Sequence, residues 1–149
     1  MQIEQEIQST KFEDNYHKAV VNISYTYSWL NNVFRAEFEK HNLTPQQFNV
    51  LRILRGQYPN PATVNLIKER MLDKMSDASR IVDRLVQKGL VSRCTNNKDR
   101  RAVDIRISDT GLETLSKMGV EFKTREVLKN NLSEEEAGQL SNLLDKLRG

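Results

Sequence analysis

The sequence predicts a mainly α-helical fold with one small β-hairpin, in a single domain of 149 residues. Apolar side chains recur every three or four residues over most of the chain, which is the spacing of one buried helix face. The period changes only in residues 90–107, where two short segments flank a charged stretch. The second segment, VDIRI, alternates apolar and polar side chains. This period of two indicates a half-buried strand.

The composition indicates an ordinary soluble protein. The chain is 38% hydrophobic and 29% charged, and no run approaches the roughly 18 apolar residues of a membrane span. Residues 1–14 lack the apolar core of a secretory signal. The single cysteine, Cys94, excludes an intramolecular disulfide and suits a reducing compartment. We therefore expect a cytoplasmic protein without a membrane segment.

The first long helix is predicted over residues 12–40, which is more than a small globule covers by itself. We therefore expect it to continue into a partner chain or to cross the whole body. Thr44, Pro45 and Gln47 then form a helix start, with a capping threonine, a proline in the first turn and a capping-box glutamine.

Two short helices follow, over about residues 63–72 and from the turn at Asp73-Lys74 to about residue 88. Met75 is expected to be the first apolar position of the second helix, and Gly89 to close it. The hairpin comes next, then one helix over residues 110–129 and a last, leucine-rich helix that Ser133 caps. Two short helices followed at once by a hairpin form a winged helix-turn-helix, in which the second helix fits the DNA major groove.

The charge is unevenly distributed along the chain. Residues 68–106 hold eleven basic and six acidic side chains, a net charge of +5, while the remainder carries −2. A basic middle part is typical of one DNA-facing surface on a neutral body. A solvated charged face explains the same distribution, so charge alone leaves both interpretations open.

Three segments of the chain resemble the MarR family of bacterial regulators. They are LTPQQFNVL at 43–51, SRIVDRLVQKGLV at 79–91, and DRR at 99–101 with the following strand and TGL at 110–112. The resemblance implies a homodimer whose terminal helices, about 10–40 and 110–149, interlock. Two winged-helix lobes, about 43–108, would then bind a pseudo-palindromic operator, with half-sites roughly 34–36 Å apart. It also implies a repressor that a ligand releases.

The recognition helix is expected to present Lys74, Ser76, Ser79, Arg80 and Arg84 to DNA. A guanidinium binds guanine in a bidentate manner, so Arg80 is the candidate for a base contact. The serines suit bases or phosphates, whereas Lys74 and Arg84 suit phosphates. The turn before this helix lacks the glycine that is usual in the family, which leaves its register open by about one residue.

Asp77 does not fit a phosphate-facing surface, because a carboxylate is repelled there. It has three alternatives: accepting a hydrogen bond from cytosine, pairing with Arg80 or Arg84, or capping the helix. Capping is the preferred one.

The wing residues are implied by the resemblance. Arg101 would enter the minor groove, whose negative potential attracts arginine. Asp99 would orient an arginine, while Lys98 and Arg100 would contact the DNA backbone. A solvated charged turn remains the alternative.

Other functions find less support in the sequence. His17 and His41 have no metal-site spacing, and no phosphate loop or nucleophile motif occurs, so we expect no enzyme, metal or cofactor. A winged helix that contacts only protein is the remaining alternative, although its surface would be more apolar. Cys94 is interpreted as structural rather than redox-sensing.

The aromatic side chains of the first helix have two interpretations. They are compatible with a small aromatic effector and equally with core and dimer packing. These side chains are Tyr16, Tyr25, Tyr27, Trp29 and Phe34.

Overall fold

The computed structural model describes residues 1–96 and 103–149, apart from the side chain of Phe122. Its helices are α1 (Ile3–Glu6), α2 (Asn15–Lys40), α3 (Pro45–Gln57), α4 (Val64–Arg70), α5 (Ala78–Gln87), α6 (Asp109–Met118), α7 (Val120–Lys129) and α8 (Glu134–Arg148). Its strands are β1 (Ala62–Thr63), β2 (Val91–Thr95) and β3 (Val103–Ile107). No helix in the described ranges is both long and apolar enough to cross a bilayer.

The strands form one antiparallel sheet in the order β1-β3-β2. β2 and β3 pair as the predicted hairpin, with Val91 opposite Ile107 and Thr95 opposite Val103. The short strand β1, absent from the prediction, pairs Ala62 with Ile105. The predicted mainly helical winged helix-turn-helix fold is thus confirmed, with one additional edge strand.

The core lies between α3, α4, α5 and the sheet. Its centre consists of side chains with no exposed surface, namely Val50, Leu51, Ile67, Val82, Leu85 and Ile105. Apolar side chains of this size each stabilise the fold by about 1.5–3 kcal/mol when fully buried. The helices that carry the candidate DNA-facing residues are therefore held on one continuous core.

The start of α6 approaches the end of the hairpin closely. Ser108 caps α6 by accepting from the Gly111 amide at 3.0 Å, and its hydroxyl donates to the Gly89 carbonyl at 2.7 Å. A Cβ atom on Gly111 would lie 2.3 Å from the Leu90 carbonyl oxygen. Glycine is therefore required where this helix crosses the backbone beyond α5.

The prediction of a single helix over residues 110–129 is wrong, because the structure has two helices there, α6 and α7. The two are divided at Gly119, which has a φ of 59° and ends α6 in the left-handed conformation. Glycine adopts this conformation without the steric cost that other residues incur. The apolar spacing continues through the break, so periodicity alone could not locate it.

Ion pairs connect α7 to the rest of the chain just beyond the break. Glu121 of α7 pairs with Arg52 at 2.5 Å and with Arg55 at 2.6 Å, both on α3. Lys123 of α7 pairs with Glu37 of α2. The direction of α7 is thus set by contacts with two other helices.

Candidate nucleic-acid interface

The candidate interface is built around α5, whose inner face carries Ala78, Val82 and Leu85 in the core. Because these residues are four and three positions apart, they share one side of the helix, and the opposite side faces the solvent. Ser79, Arg80 and Arg84 lie on that face and are exposed. Within the described residues, neither arginine forms an ion pair, so both guanidinium groups are available to an anion.

The start of α5 differs from the prediction. Lys74 and Ser76 were predicted on the recognition helix, but the helix begins at Ala78 and both residues lie in the preceding turn. Met75, predicted as an apolar position of the helix, is 93% exposed. The apolar spacing continues through the turn although the helix does not, because α4 ends at Arg70 and α5 begins only after its N-cap, Asp77.

Asp73 organises the turn between α4 and α5. Its carboxylate accepts from the Ser76 hydroxyl at 2.7 Å and from the Met75 amide at 3.0 Å. These bonds, the hydroxyl first, lower the pKa of Asp73 below its ordinary value. The Leu72 amide donates to Asn49 of α3 at 3.0 Å, which holds the turn on the neighbouring helix. The side-chain hydrogen bonds of Asp73 thereby hold the turn closed, although the turn contains no glycine.

Asp77 is the N-cap of α5. Its carboxylate accepts from the Arg80 amide at 3.1 Å. No ion pair joins it to Arg80 or Arg84 in the described part of the chain. The capping interpretation is therefore confirmed, since a carboxylate satisfies a free helix amide and complements the positive helix end.

Two grooves lie on either side of the start of α5. One, of about 350 Å³, lies between α3 and α5 and is lined by Thr44, Gln46, Arg80 and Arg84 among others. The second, of about 430 Å³, lies between α4 and the turn. Its polar lining consists of Asn65, Lys68, Lys74, Ser76, Asp77 and Ser79. The structure thus brings the five predicted residues of this region to one surface.

Sequence reasoning missed the residues that other helices contribute. Asn65 and Lys68 of α4 and Gln46 of α3 face the same grooves as the predicted set. Lys68 begins the basic stretch of the sequence, which was a usable signal. Gln46 carried no signal, because only tertiary packing brings the start of α3 beside α5.

The end of α5 is fixed to its surroundings by polar contacts. Lys88 donates to the Gln47 side chain at 3.0 Å and to the Asn42 carbonyl. Arg93 of β2 pairs with Asp83 on the outer side of α5. The recognition helix and the base of the hairpin are thereby joined, so that they present one surface.

The four predicted wing residues lie outside the described residues; they are Lys98, Asp99, Arg100 and Arg101. The described strands bring the chain to Thr95 and Val103 on either side of them. Cys94 is half-buried in β2, where its thiol donates to the Asp104 carbonyl at 3.6 Å. No cluster of metal-binding side chains occurs in residues 1–96 or 103–149.

Comparisons with known proteins agree with this geometry. The MarR family model matches residues 43–103, from the loop before α3 to the first residue of β3. The chain is 41% identical over 73 residues to the HTH-type transcriptional repressor MdtR of Bacillus subtilis (strain 168). It is 26% identical over 131 residues to the HTH-type transcriptional regulator MhqR of the same organism. Residues 43–103 are thus similar to the MarR family.

The extent of these similarities differs. The match to MdtR covers 49% of this chain and about half of that protein, 46%. The match to MhqR covers 87% of this chain and 89% of that protein. Both relatives are regulators of transcription, which is the class that the sequence predicts for this chain.

A solved structure extends the likeness to the whole fold. The crystal structure of the organohalide-sensing regulator RdhR-CbdbA1625 in its 2,4-dichlorophenol-bound form has a TM-score of 0.78. The superposition covers 91% of this chain and 80% of that one, with 22% sequence identity. The terminal helices thus follow the fold of that structure together with the lobe.

Proposed function

We propose that this chain is a homodimeric transcriptional repressor that binds a pseudo-palindromic operator in double-stranded DNA. The observation that carries the proposal is the outer face of α5. Arg80 and Arg84 are exposed there without an ion pair in the described residues, and Ser79 and the α4–α5 turn lie beside them. An exposed helix with free guanidinium groups can read base edges in a major groove and contact phosphates.

Each residue has a proposed role. Arg80, near the N-terminal end of α5, contacts a base edge, because such residues reach deepest into the groove. Arg84, Lys74 and Lys68 contact phosphates, while Ser76 and Ser79 contact bases or phosphates. Arg101 enters the minor groove, Asp99 orients an arginine, and Lys98 and Arg100 contact the DNA backbone.

The proposed homodimer rests on the terminal helices. Leu140, Leu143 and Leu147 of α8 are 45–65% exposed in the protomer, and Tyr16 and Tyr27 of α2 are 83% and 69% exposed. A second copy would cover both faces. Two-fold symmetry would then place two α5 helices about one duplex turn apart, roughly 34–36 Å.

Repression and release by a small aromatic effector are also part of the proposal. MdtR is described as a repressor, and RdhR-CbdbA1625 binds 2,4-dichlorophenol. An effector would change the spacing of the two lobes and thereby lower operator affinity.

DNA binding at several salt concentrations tests the proposal. The protein would be titrated against its own upstream region and against random duplex, together with Arg80→Ala and Arg101→Ala. We expect specific binding with a steep salt dependence and a loss of about 1–3 kcal/mol in each variant. Arg35→Ala on α2, an exposed arginine away from α5, should bind like the wild type. Equal affinity for all duplexes would contradict the proposal and favour a protein-contact module.

A further inference from the structure

The turn between α4 and α5 carries the two most exposed large apolar side chains in the described part of the lobe. Met75 is 93% exposed and Leu72 is 83% exposed, whereas the next, Tyr58, is 56% exposed. A single exposed apolar side chain is ordinary on a protein surface. The position of Met75 is what points to a ligand, because this residue lies two positions before Asp77, the N-cap of the candidate recognition helix.

The fold fixes the backbone of Met75 and leaves its side chain in the solvent. Its amide donates to the Asp73 carboxylate at 3.0 Å, and the same carboxylate accepts from the Ser76 hydroxyl at 2.7 Å. These bonds involve only the main chain of Met75, so a polar side chain would fit this turn equally well. The apolar chain buries almost no surface and therefore adds little to the stability of the protomer.

Met75 shares a groove with two lysines. The groove of about 430 Å³ between α4 and the turn is lined by Met75 together with Lys68 and Lys74. Neither lysine forms an ion pair within the described residues, so both charges are available to an anion. The carboxylate in this lining, Asp77, is bonded to the Arg80 amide as the helix cap. The groove thus suits a polyanion that also carries an apolar group.

Duplex DNA is a polyanion of this kind. Its phosphates attract lysine, and the C5-methyl group of thymine is the apolar group that base pairs present in the major groove. Side chains at the N-terminal end of a recognition helix are the ones that contact base edges. Methionine is unbranched and flexible, so its terminal atoms can adapt to a methyl group there.

We infer that Met75 contacts the C5-methyl group of a thymine in each half-site of the operator and makes that position specific for thymine. This inference rests on the proposed function, because it requires that α5 binds the operator. A thioether against a phosphate would displace water without supplying a hydrogen bond, which disfavours a phosphate contact. A protein partner is disfavoured by Lys68 and Lys74, since lysine is depleted at protein interfaces.

Deoxyuridine tests this contact directly, because it lacks the C5-methyl group of thymidine and keeps its hydrogen-bonding groups. The probe is the duplex from the chain's own upstream region, with each thymine of the two half-sites replaced in turn by deoxyuridine. We expect one symmetric position at which loss of the methyl group weakens binding by the wild type about fourfold per half-site.

Met75→Ala is the decisive variant. It should bind the thymine duplex at least about fourfold more weakly than the wild type, and it should bind the thymine and deoxyuridine duplexes equally. Leu72→Ala is the matched control, because it removes an exposed apolar side chain of the same turn that does not line the groove. This control should keep the preference for thymine. Both side chains are exposed, so the unfolding midpoints of the two variants should equal that of the wild type.

The outcomes separate this inference from the proposed function. If Met75→Ala weakened binding to both duplexes by the same factor, Met75 would contact sugar or phosphate instead. If the deoxyuridine effect persisted in Met75→Ala, another residue would contact the methyl group. Either result overturns the inference, as does a scan in which no deoxyuridine weakens binding, while specific binding of the unsubstituted duplex still supports the repressor. Equal affinity of the wild type for upstream and random duplex would overturn both.

Discussion

The helices of the winged-helix lobe and the terminal helix α8 have the same helical spacing of leucines, but these leucines are buried in the lobe and exposed on α8. In the lobe, Leu51 and Leu85 have no exposed surface. On α8, Leu143 and Leu147 are 65% and 62% exposed, and no residue of the helix is buried. The helices compared, α3 and α5 in the lobe and α8 at the terminus, are all amphipathic in sequence. The lobe thus completes its core within one chain, whereas α8 presents an apolar face that no other described residue of that chain covers.

The difference teaches how the protein separates folding from assembly. A contiguous apolar patch on an otherwise soluble protein marks an interaction surface. The lobe can therefore present α5 rigidly, while in the proposed dimer the relative position of the two lobes would depend on a surface that a second copy completes. The proposed repressor needs both properties, because one determines base recognition and the other the half-site spacing.

The largest effect is expected from the exposed face of α8. The triple substitution Leu140→Ser, Leu143→Ser and Leu147→Ser removes side chains that each contribute about 1.5–3 kcal/mol when buried. Sedimentation equilibrium should show the mass falling from twice 17.3 kDa to 17.3 kDa, with the helical circular dichroism of the lobe retained. Asn142→Ala on the same helix is the control. A triple variant that remains dimeric would contradict the proposed interface.

A core substitution should affect folding instead of assembly. Leu85→Ala leaves a cavity beneath α5 and should lower the free energy of unfolding by about 2–5 kcal/mol in denaturant titrations. Leu72→Ala, at 83% exposure in the same lobe, should stay within about 0.5 kcal/mol. If the two variants lost equal stability, the distinction between core and surface leucines would fail.

Substitutions of Asp77, the N-cap of α5, should have an intermediate effect and separate the capping role of this residue from the effect of its charge on DNA binding. Asp77→Ala should lower the free energy of unfolding by about 1 kcal/mol, because the Arg80 amide loses its acceptor. Asp77→Asn keeps the cap, so its stability should stay within a few tenths of a kcal/mol of the wild type. Because a negative charge near phosphate is removed, Asp77→Asn should also bind DNA more tightly. Weaker DNA binding by Asp77→Asn would indicate that the carboxylate contacts a base.

The smallest effect concerns the ion pairs that join α7 to the lobe. The bond from Arg55, together with Arg52, holds the pKa of Glu121 below its ordinary value of 4.5. A lowered pKa stabilises the fold above pH 4.5, and this contribution is lost as pH falls through the lower folded value. Since these side chains are about 40% exposed, Glu121→Gln should cost at most about 1 kcal/mol at pH 7.

The pH dependence separates this ion pair from a packing effect. The stability difference between the wild type and Glu121→Gln should shrink as both are titrated into acid, and it should vanish below the lowered folded pKa of Glu121, where the carboxylate is protonated. Glu69→Gln, an exposed carboxylate on α4, should show no difference at neutral or acidic pH. A difference that persists in acid would assign the role of Glu121 to packing.

Much of the local structure was predictable because its causes are local. Thr44 and Ser133 cap their helices as expected, and Gly89 follows α5 with a φ of 70°. Each feature depends on side chains within three or four residues, which the sequence displays directly. The basic outer face of α5 was predictable for the same reason, since Ser79, Arg80 and Arg84 follow from helical spacing.

The errors occur where a distant contact decides the local structure. The start of α5 depends on the Asp73 turn and its attachment to Asn49 of α3, so the periodicity of Met75 misled the prediction. The division at Gly119 accompanies ion pairs from α7 to α2 and α3, which join residues far apart in sequence.

By itself the sequence determined the order of most helices and the hairpin, the resemblance to the MarR family, and which face of α5 is cationic, because periodicity, caps and charge are properties of neighbouring residues. The tertiary structure alone decided that Gln46, Asn65 and Lys68 join this face, and that Met75 shares a groove with the last two. These groupings arise from packing between helices, and a linear pattern holds no information on which side chains the packed helices bring together.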